Sequence, residues 1–231
     1  MRKASLKNVG ILDLVYTITQ RHSKRVALQI EENEVFRGIT YDQLREKSVD
    51  ISSSLIRMGI NKDERIAILS EARPEWAVAF FSIVNVAGIV VPIDAKLSDK
   101  EFTFILKDSE AKCLFLSGAF LPTIDKCRKE LNNLQHLICF DKTDRPEAIF
   151  LNDLKYQQGD KRNRPDEIGP EDTVLIVYTS GTTGVAKGVE LTYRNLLFEV
   201  MALYDIVSFT PRDRFVSILP LNHMLELTGG L

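Results

Sequence analysis

Cysteine is scarce in this sequence, and the three present, Cys113, Cys127 and Cys139, are odd in number and lack any metal-ligand spacing. That argues against a disulfide framework and leaves reduced, structural thiols in a reducing compartment. Charge imbalance is missing as well: 30 Lys and Arg stand against 32 Asp and Glu, a formal net charge of -2. With the two signs mixed along the chain, no global basic field draws it to nucleic acid or anionic lipid. No internal repeat or low-complexity tract occurs. A secretory leader is not expected either. "MRKASLKNVGILDLVYTITQ" opens basic, but Asp13 interrupts its apolar stretch and no small-residue cleavage site follows. It reads as an amphipathic helix, and the expected location is cytoplasmic.

A long uncharged run is what the chain does have. "WAVAFFSIVNVAGIVV", from Trp76 to Val91, approaches the ~18 apolar residues that would suggest a membrane span. Its punctuation argues otherwise. Pro74 suits a first helical turn, Ser82 and Asn85 interrupt the apolar surface, and Gly88 suits a helix end. The "IVVPI" that follows reads as a buried strand, and a helix leading into such a strand is what a parallel sheet covered on both faces requires. No transmembrane segment is predicted; peripheral membrane contact stays open.

The same alternation runs through the first 154 residues. "VALQI" and "VFRGI" (26–30, 35–39) flank "EENE" as a hairpin. Thr40 and Gln43 form a capping box that opens a helix to about Met58, with Gly59 ending it. "RIAIL" (65–69), "IVVPI" (89–93), "CLFL" (113–116) and "LICF" (137–140) are strands. Helices are predicted over 74–87, from the Ser98/Glu101 capping box to about Lys107, and over 119–131. The pattern predicts an α/β fold: a mostly parallel, layered sheet with flanking helices. We divide the chain into an α/β unit over 1–154, a polar linker over 155–172, and a third region over 173–231.

That last region opens with "VLIVYTSGTTGVAKGVELT". A buried strand, "VLIVY", stops in Thr179, Ser180, Gly181, Thr182, Thr183 and Gly184, with Lys187 and Gly188 soon after. Glycines let a loop turn tightly and bring amide N–H groups up to an anion. The hydroxyls add donors without bulk, and Lys187 adds a mobile positive charge suited to phosphate oxygens. Such a cradle at the carboxyl end of a strand is where α/β ligand sites lie. The spacing differs from the Walker pattern, Gly-x-x-x-x-Gly-Lys-[Ser/Thr]. A flexible polar turn is the plain alternative, and six consecutive small residues after a buried strand argue against it.

"YTSGTTGVAKGV" resembles the signature loop of the AMP-forming adenylating enzymes, which include acyl-CoA synthetases, firefly-type luciferases and peptide-synthetase adenylation domains. It departs at Ala186, where that family usually has proline. "LTYRN" (191–195) resembles the family's Leu-Thr-His-x-Asn, with Tyr193 in place of histidine. "LPLNHMLELTGG" (219–230) is similar to the acyl-CoA synthetase motif Leu-Pro-Leu-x-His-x-x-Glu, ending here in His223 and Glu226, with Asn222 where serine is usual. Upstream, "GINKDERIAILSEARPEWAVAFFSIVNVAGIVVPID" carries the Arg-Pro-Glu-Trp common in long-chain fatty acyl-CoA synthetases. The resemblance runs from about residue 10 to the end.

It implies an ATP-dependent activation of a carboxylate, a fatty acid by the last motif, to an acyl-adenylate, followed by transfer to coenzyme A. It also implies roles: phosphate binding for Thr179, Ser180, Gly181, Thr182, Thr183, Gly184 and Lys187, Mg²⁺ ligation for Thr183, and a place near the acyl or adenylate pocket for His223. A satisfied buried histidine is the other reading of His223, and Glu226 reads as structural. Alternatives are another acyl-adenylate-forming ligase (acyl-AMP or acyl-carrier-protein) and a non-catalytic nucleotide- or partner-binding module. The family continues well beyond residue 231, through a glutamate for Mg²⁺, an aspartate for ribose and a small C-terminal lid domain. The chain alone is therefore expected to bind ATP weakly at best, not to turn over, and to self-associate through apolar surface left uncovered.

Overall fold

The computed structural model describes residues 11–158, 160, 168–180, 186–207 and 210–230, the side chains of residues 11, 12, 14 and 180 aside. The chain begins with helix α1 (Ile11–Arg21), then the hairpin β1 (Val26–Glu32) and β2 (Val35–Thr40). Helix α2 (Tyr41–Arg57) starts at the predicted capping box, in which Gln43 N donates to Thr40 Oγ1 and Thr40 N to Gln43 Oε1. It stops before Gly59, whose φ of 84° is left-handed backbone that glycine adopts without strain.

Next come β3 (Arg65–Leu69), α3 (Pro74–Asn85), β4 (Ile89–Ile93), α4 (Asp99–Asp108), β5 (Cys113–Leu116), α5 (Leu121–Cys127), β6 (His136–Cys139) and β7 (Ala148–Phe150). The Ser98/Glu101 box opens α4 as the sequence indicates. After residue 168 follow β8 (Thr173–Ser180), β9 (Ala186–Thr192), α6 (Tyr193–Ile206) and α7 (Met224–Gly229). Seven strands form one sheet in the order β7-β6-β5-β3-β4-β8-β9, parallel throughout except for the antiparallel β8–β9 pair.

The central strands are apolar on both faces because both faces are covered. Ile66 and Ile68 of β3 point into a core with Leu55 of α2 and Trp76 and Ile83 of α3. Ala67 and Leu69 point the other way, to Phe102 and Ile105 of α4 and Ile124 of α5. The uncharged run at Trp76–Val91 is thus most of α3, a turn and the start of β4, and among the described residues no helix is long and apolar enough to cross a membrane. All three cysteines are buried and free, and burial pushes the Cys113 thiol well above its ordinary pKa.

Three details depart from the sequence expectations. The helix predicted over 119–131 is shorter: 3₁₀ turns at Gly118–Phe120 and Arg128–Glu130 flank α5. Pro122, in the first turn, has no N–H to extend the helix backwards. The helix predicted to Ala87 ends at Asn85, and it is Ala87, at φ 53°, that takes the left-handed position after it. Gly88 serves packing instead, since a Cβ there would lie 3.0 Å from Ile83 Cγ2 and 3.1 Å from Ile66 Cδ1. Finally, β7, β9, α6 and α7 join the architecture without having been anticipated.

Trp76 is 1% exposed and stacks on Phe80 with ring centroids 5.8 Å apart. Trp76→Ala should therefore destabilise the chain by about 3–5 kcal/mol, read as a lowered urea midpoint.

Candidate functional site

The hydroxyl-rich segment sits on a strand that changes environment along its length. β8 starts buried, with Val174 and Leu175 at 1% and 0% exposure, and ends exposed at Thr179. It lies beside β4, with Val90 level with Leu175. Continuing that parallel register three residues puts Ile93, the last residue of β4, level with Tyr178. Thr179 and Ser180 therefore project past the carboxyl edge of the neighbouring strand, the edge at which ligands bind in open α/β sheets.

The strand is longer than "VLIVY" suggests, because Thr179 and Ser180 are still paired: Thr179 with Lys187 and Ser180 with Ala186 of β9. Directly opposed residues of an antiparallel pair point to the same face, with Cβ atoms about 4.5–5.5 Å apart. Lys187 and Thr179, both exposed, thus present an ammonium and a hydroxyl side by side. Gly181, Thr182, Thr183 and Gly184 lie outside the described residues, as does the side chain of Ser180. Of the seven predicted phosphate residues, the structure brings together Thr179, Ser180 and Lys187 at the end of one hairpin.

Both ends of this hairpin are anchored. At its entrance, Asp172 Oδ2 accepts from Lys62 Nζ at 2.7 Å and from Gly169 N at 2.9 Å. At its exit, Thr192 caps α6: Asn195 N donates to Thr192 Oγ1, and Thr192 N to Asn195 Oδ1. This capping box explains the Thr and Asn of "LTYRN" as helix chemistry. A search for Glu or Gln at the third position overlooks it because asparagine does the same work with a shorter side chain. Tyr193 is buried in the core.

His223 is exposed and precedes α7 with no capping bond from its side chain, so the satisfied-buried reading of this residue is wrong. Two residues back, Leu221 is buried, and so are Glu226 and Leu227 after it; this short helix buries one side and leaves Leu225, like the preceding His223, exposed. Glu226 Oε2 accepts from Leu219 N at 3.4 Å. Among the described residues no group of three or more His, Cys, Asp or Glu could hold a metal ion. Thr183, the predicted Mg²⁺ ligand, lies outside the described residues.

The Arg-Pro-Glu-Trp segment is a fold device. Arg73 precedes α3, donates to Glu75 Oε2 at 2.9 Å and to Asp141 Oδ1 at 3.0 Å, and lies 5.6 Å from the centroid of the Phe140 ring. Pro74 starts the helix and Trp76 is core. The motif ties the start of α3 to the end of β6.

The AMP-binding enzyme family matches residues 16–231. The chain belongs to that family. Fatty acyl-CoA synthetase A of Dictyostelium discoideum is 28% identical over 83% of this chain and 30% of its own length. Indoleacetate–CoA ligase of Aromatoleum aromaticum is 30% identical over 84% of this chain and 37% of its own. A crystal structure of a long-chain-fatty-acid-CoA ligase from Archaeoglobus fulgidus has the same fold over 95% of this chain and 44% of its own, with a TM-score of 0.81 at 19% identity. The chain thus spans well under half the length of these relatives.

The Lys62 ammonium and the Gly169 amide hold the Asp172 carboxyl below its usual 3.8. A carboxylate with a depressed folded-state pKa contributes stability that is present above the unfolded value and lost as pH falls through the folded one. Asp172→Asn should remove part of the acid-limb slope below about pH 4, seen in urea midpoints measured across pH 2.5–6 (a range of about 3 to 4 units spanning the carboxylates).

Proposed function

We propose that this chain is part of an AMP-forming acid–CoA ligase and supplies its polyphosphate-binding hairpin. A carboxylate oxygen attacks the α-phosphorus of ATP and the bond to the bridging oxygen breaks, giving acyl-adenylate and pyrophosphate. The sulfur of coenzyme A then attacks the acyl carbon and AMP leaves. The obstacle in the first step is two anions meeting, so donors aimed at the departing polyphosphate lower the barrier most.

The observation that carries this reading is the register of Thr179 against Lys187 at the projecting end of β8. It sets a cation and a hydroxyl on one face, with the five residues of the signature segment joining the two strands. Gly181, Thr182, Thr183 and Gly184 complete the phosphate contacts, Thr183 is the loop's Mg²⁺ ligand, and His223 faces the acyl or adenylate group. A fatty acid is the favoured carboxylate, on the likeness to the Dictyostelium enzyme and the "LPLNH" segment. Arg-Pro-Glu-Trp adds no weight to chain length, because its side chains are engaged in the fold.

ATP should bind the 231-residue chain weakly, and Lys187→Ala should weaken that binding about tenfold in calorimetry. An unchanged affinity would remove Lys187 from the site. The chain by itself should show no ATP–pyrophosphate exchange; exchange would mean that the residues beyond this stretch of the family are dispensable for the first step.

A further inference from the structure

The face of the β8–β9 hairpin opposite Thr179 and Lys187 carries an arrangement that phosphate binding alone does not explain. Tyr178 and Gly188 are directly opposed in the ladder. A Cβ on Gly188 would lie 3.2 Å from Tyr178 Cζ, 3.4 Å from its hydroxyl and 2.9 Å from Ile176 Cγ2. The Tyr178 ring therefore lies across β9 in space that only glycine leaves open. From there its hydroxyl donates to Asp108 Oδ2 at 2.6 Å, and Tyr178, Gly188 and Asp108 line one open groove.

Asp108 is the last residue of α4, where the helix dipole disfavours a carboxylate. Helix stability does not account for an acid there; a donor on the neighbouring strand does. The helix end is itself fixed, since Arg65 of β3 donates from Nε to Ser109 O at 2.8 Å and from Nη2 to Glu110 Oε2 at 2.6 Å. A line of hydrogen bonds thus runs from the middle of the sheet, through the end of α4, to the hairpin that bears Thr179 and Lys187. Burial, and then the Asp108 carboxylate, keep the phenol protonated far above its ordinary range.

We infer that Tyr178 is a positioning residue: its hydroxyl, bound to Asp108 across Gly188, tethers the β8–β9 hairpin to α4 and so sets where Lys187 stands. The inference rests on the polyphosphate reading for its consequence, but not for the tether itself.

The test uses the 231-residue chain and two readouts: amide hydrogen exchange without ligand, and affinity for tripolyphosphate. Tyr178→Phe should speed exchange at Lys187–Glu190 about tenfold, leave β3 and β4 amides and the urea midpoint as they are, and weaken tripolyphosphate about fivefold. Asp108→Asn retains an acceptor oxygen and should behave as the parent chain, whereas Asp108→Leu should match Tyr178→Phe. The double variant Tyr178→Phe/Asp108→Leu should be no worse than either single change, because both remove one bond.

Unchanged exchange in Tyr178→Phe, or equal acceleration throughout the sheet, overturns the tether. Local loosening with unchanged affinity overturns its positioning role. Should the parent chain bind no tripolyphosphate, the polyphosphate reading fails, and the exchange pattern by itself decides the tether.

Discussion

Everything placed at the candidate site depends on the insertion of β8 into the sheet beside β4. Val174 and Leu175 are buried as completely as the central strands, so the start of β8 has no freedom to shift. A slip of one residue would turn Ile176 and Tyr178 to the opposite face and bring Leu175 and Val177 out of the core they share with α2 and α3. The hydrophobic register at the buried end therefore dictates which hydroxyls emerge at the exposed end, and β9 returns in a ladder that puts Lys187 across from Thr179.

Charged groups reinforce this register at places where apolar contact is thin. Asp172, held by Lys62 and the Gly169 amide, fixes the approach to β8. Arg73, donating to Glu75 and Asp141, joins a helix start to a strand end on the far side of the sheet. Both ion pairs keep some solvent contact, and exposed pairs contribute little to stability. Their effect is geometric: Lys62 and Asp172 join the segments that enter β3 and β8, and Arg73 and Asp141 join the segments that leave β3 and β6. The family signature segment thus sits on a frame whose polar ties position strands more than they strengthen them.

Apolar surface is distributed unevenly. The β3–β6 region is closed on both faces, whereas Phe198 and Ile206 of α6 and Phe215, Val216 and Ile218 after it are each more than half exposed. These residues lie in the last part of a chain that spans less than half the length of its relatives.

The amino-acid sequence by itself determined the local elements wherever the signal was local. Capping boxes at Thr40 and Ser98, left-handed Gly59, and strands β3 to β6 each depend on a few neighbouring residues, and each is within a residue of where the pattern indicates. The resemblance of "YTSGTTGVAKGV" pointed to the family for the same reason, since that signature segment is written contiguously. Only the tertiary structure decided that Lys187 belongs to a strand, that His223 faces solvent, that Gly88 serves packing, and that Tyr178 reaches Asp108. Those are statements about residues brought together across the sheet: strand pairing joins positions by hydrogen bonds whose partners no local pattern names, and burial is conferred by whatever element happens to pack above.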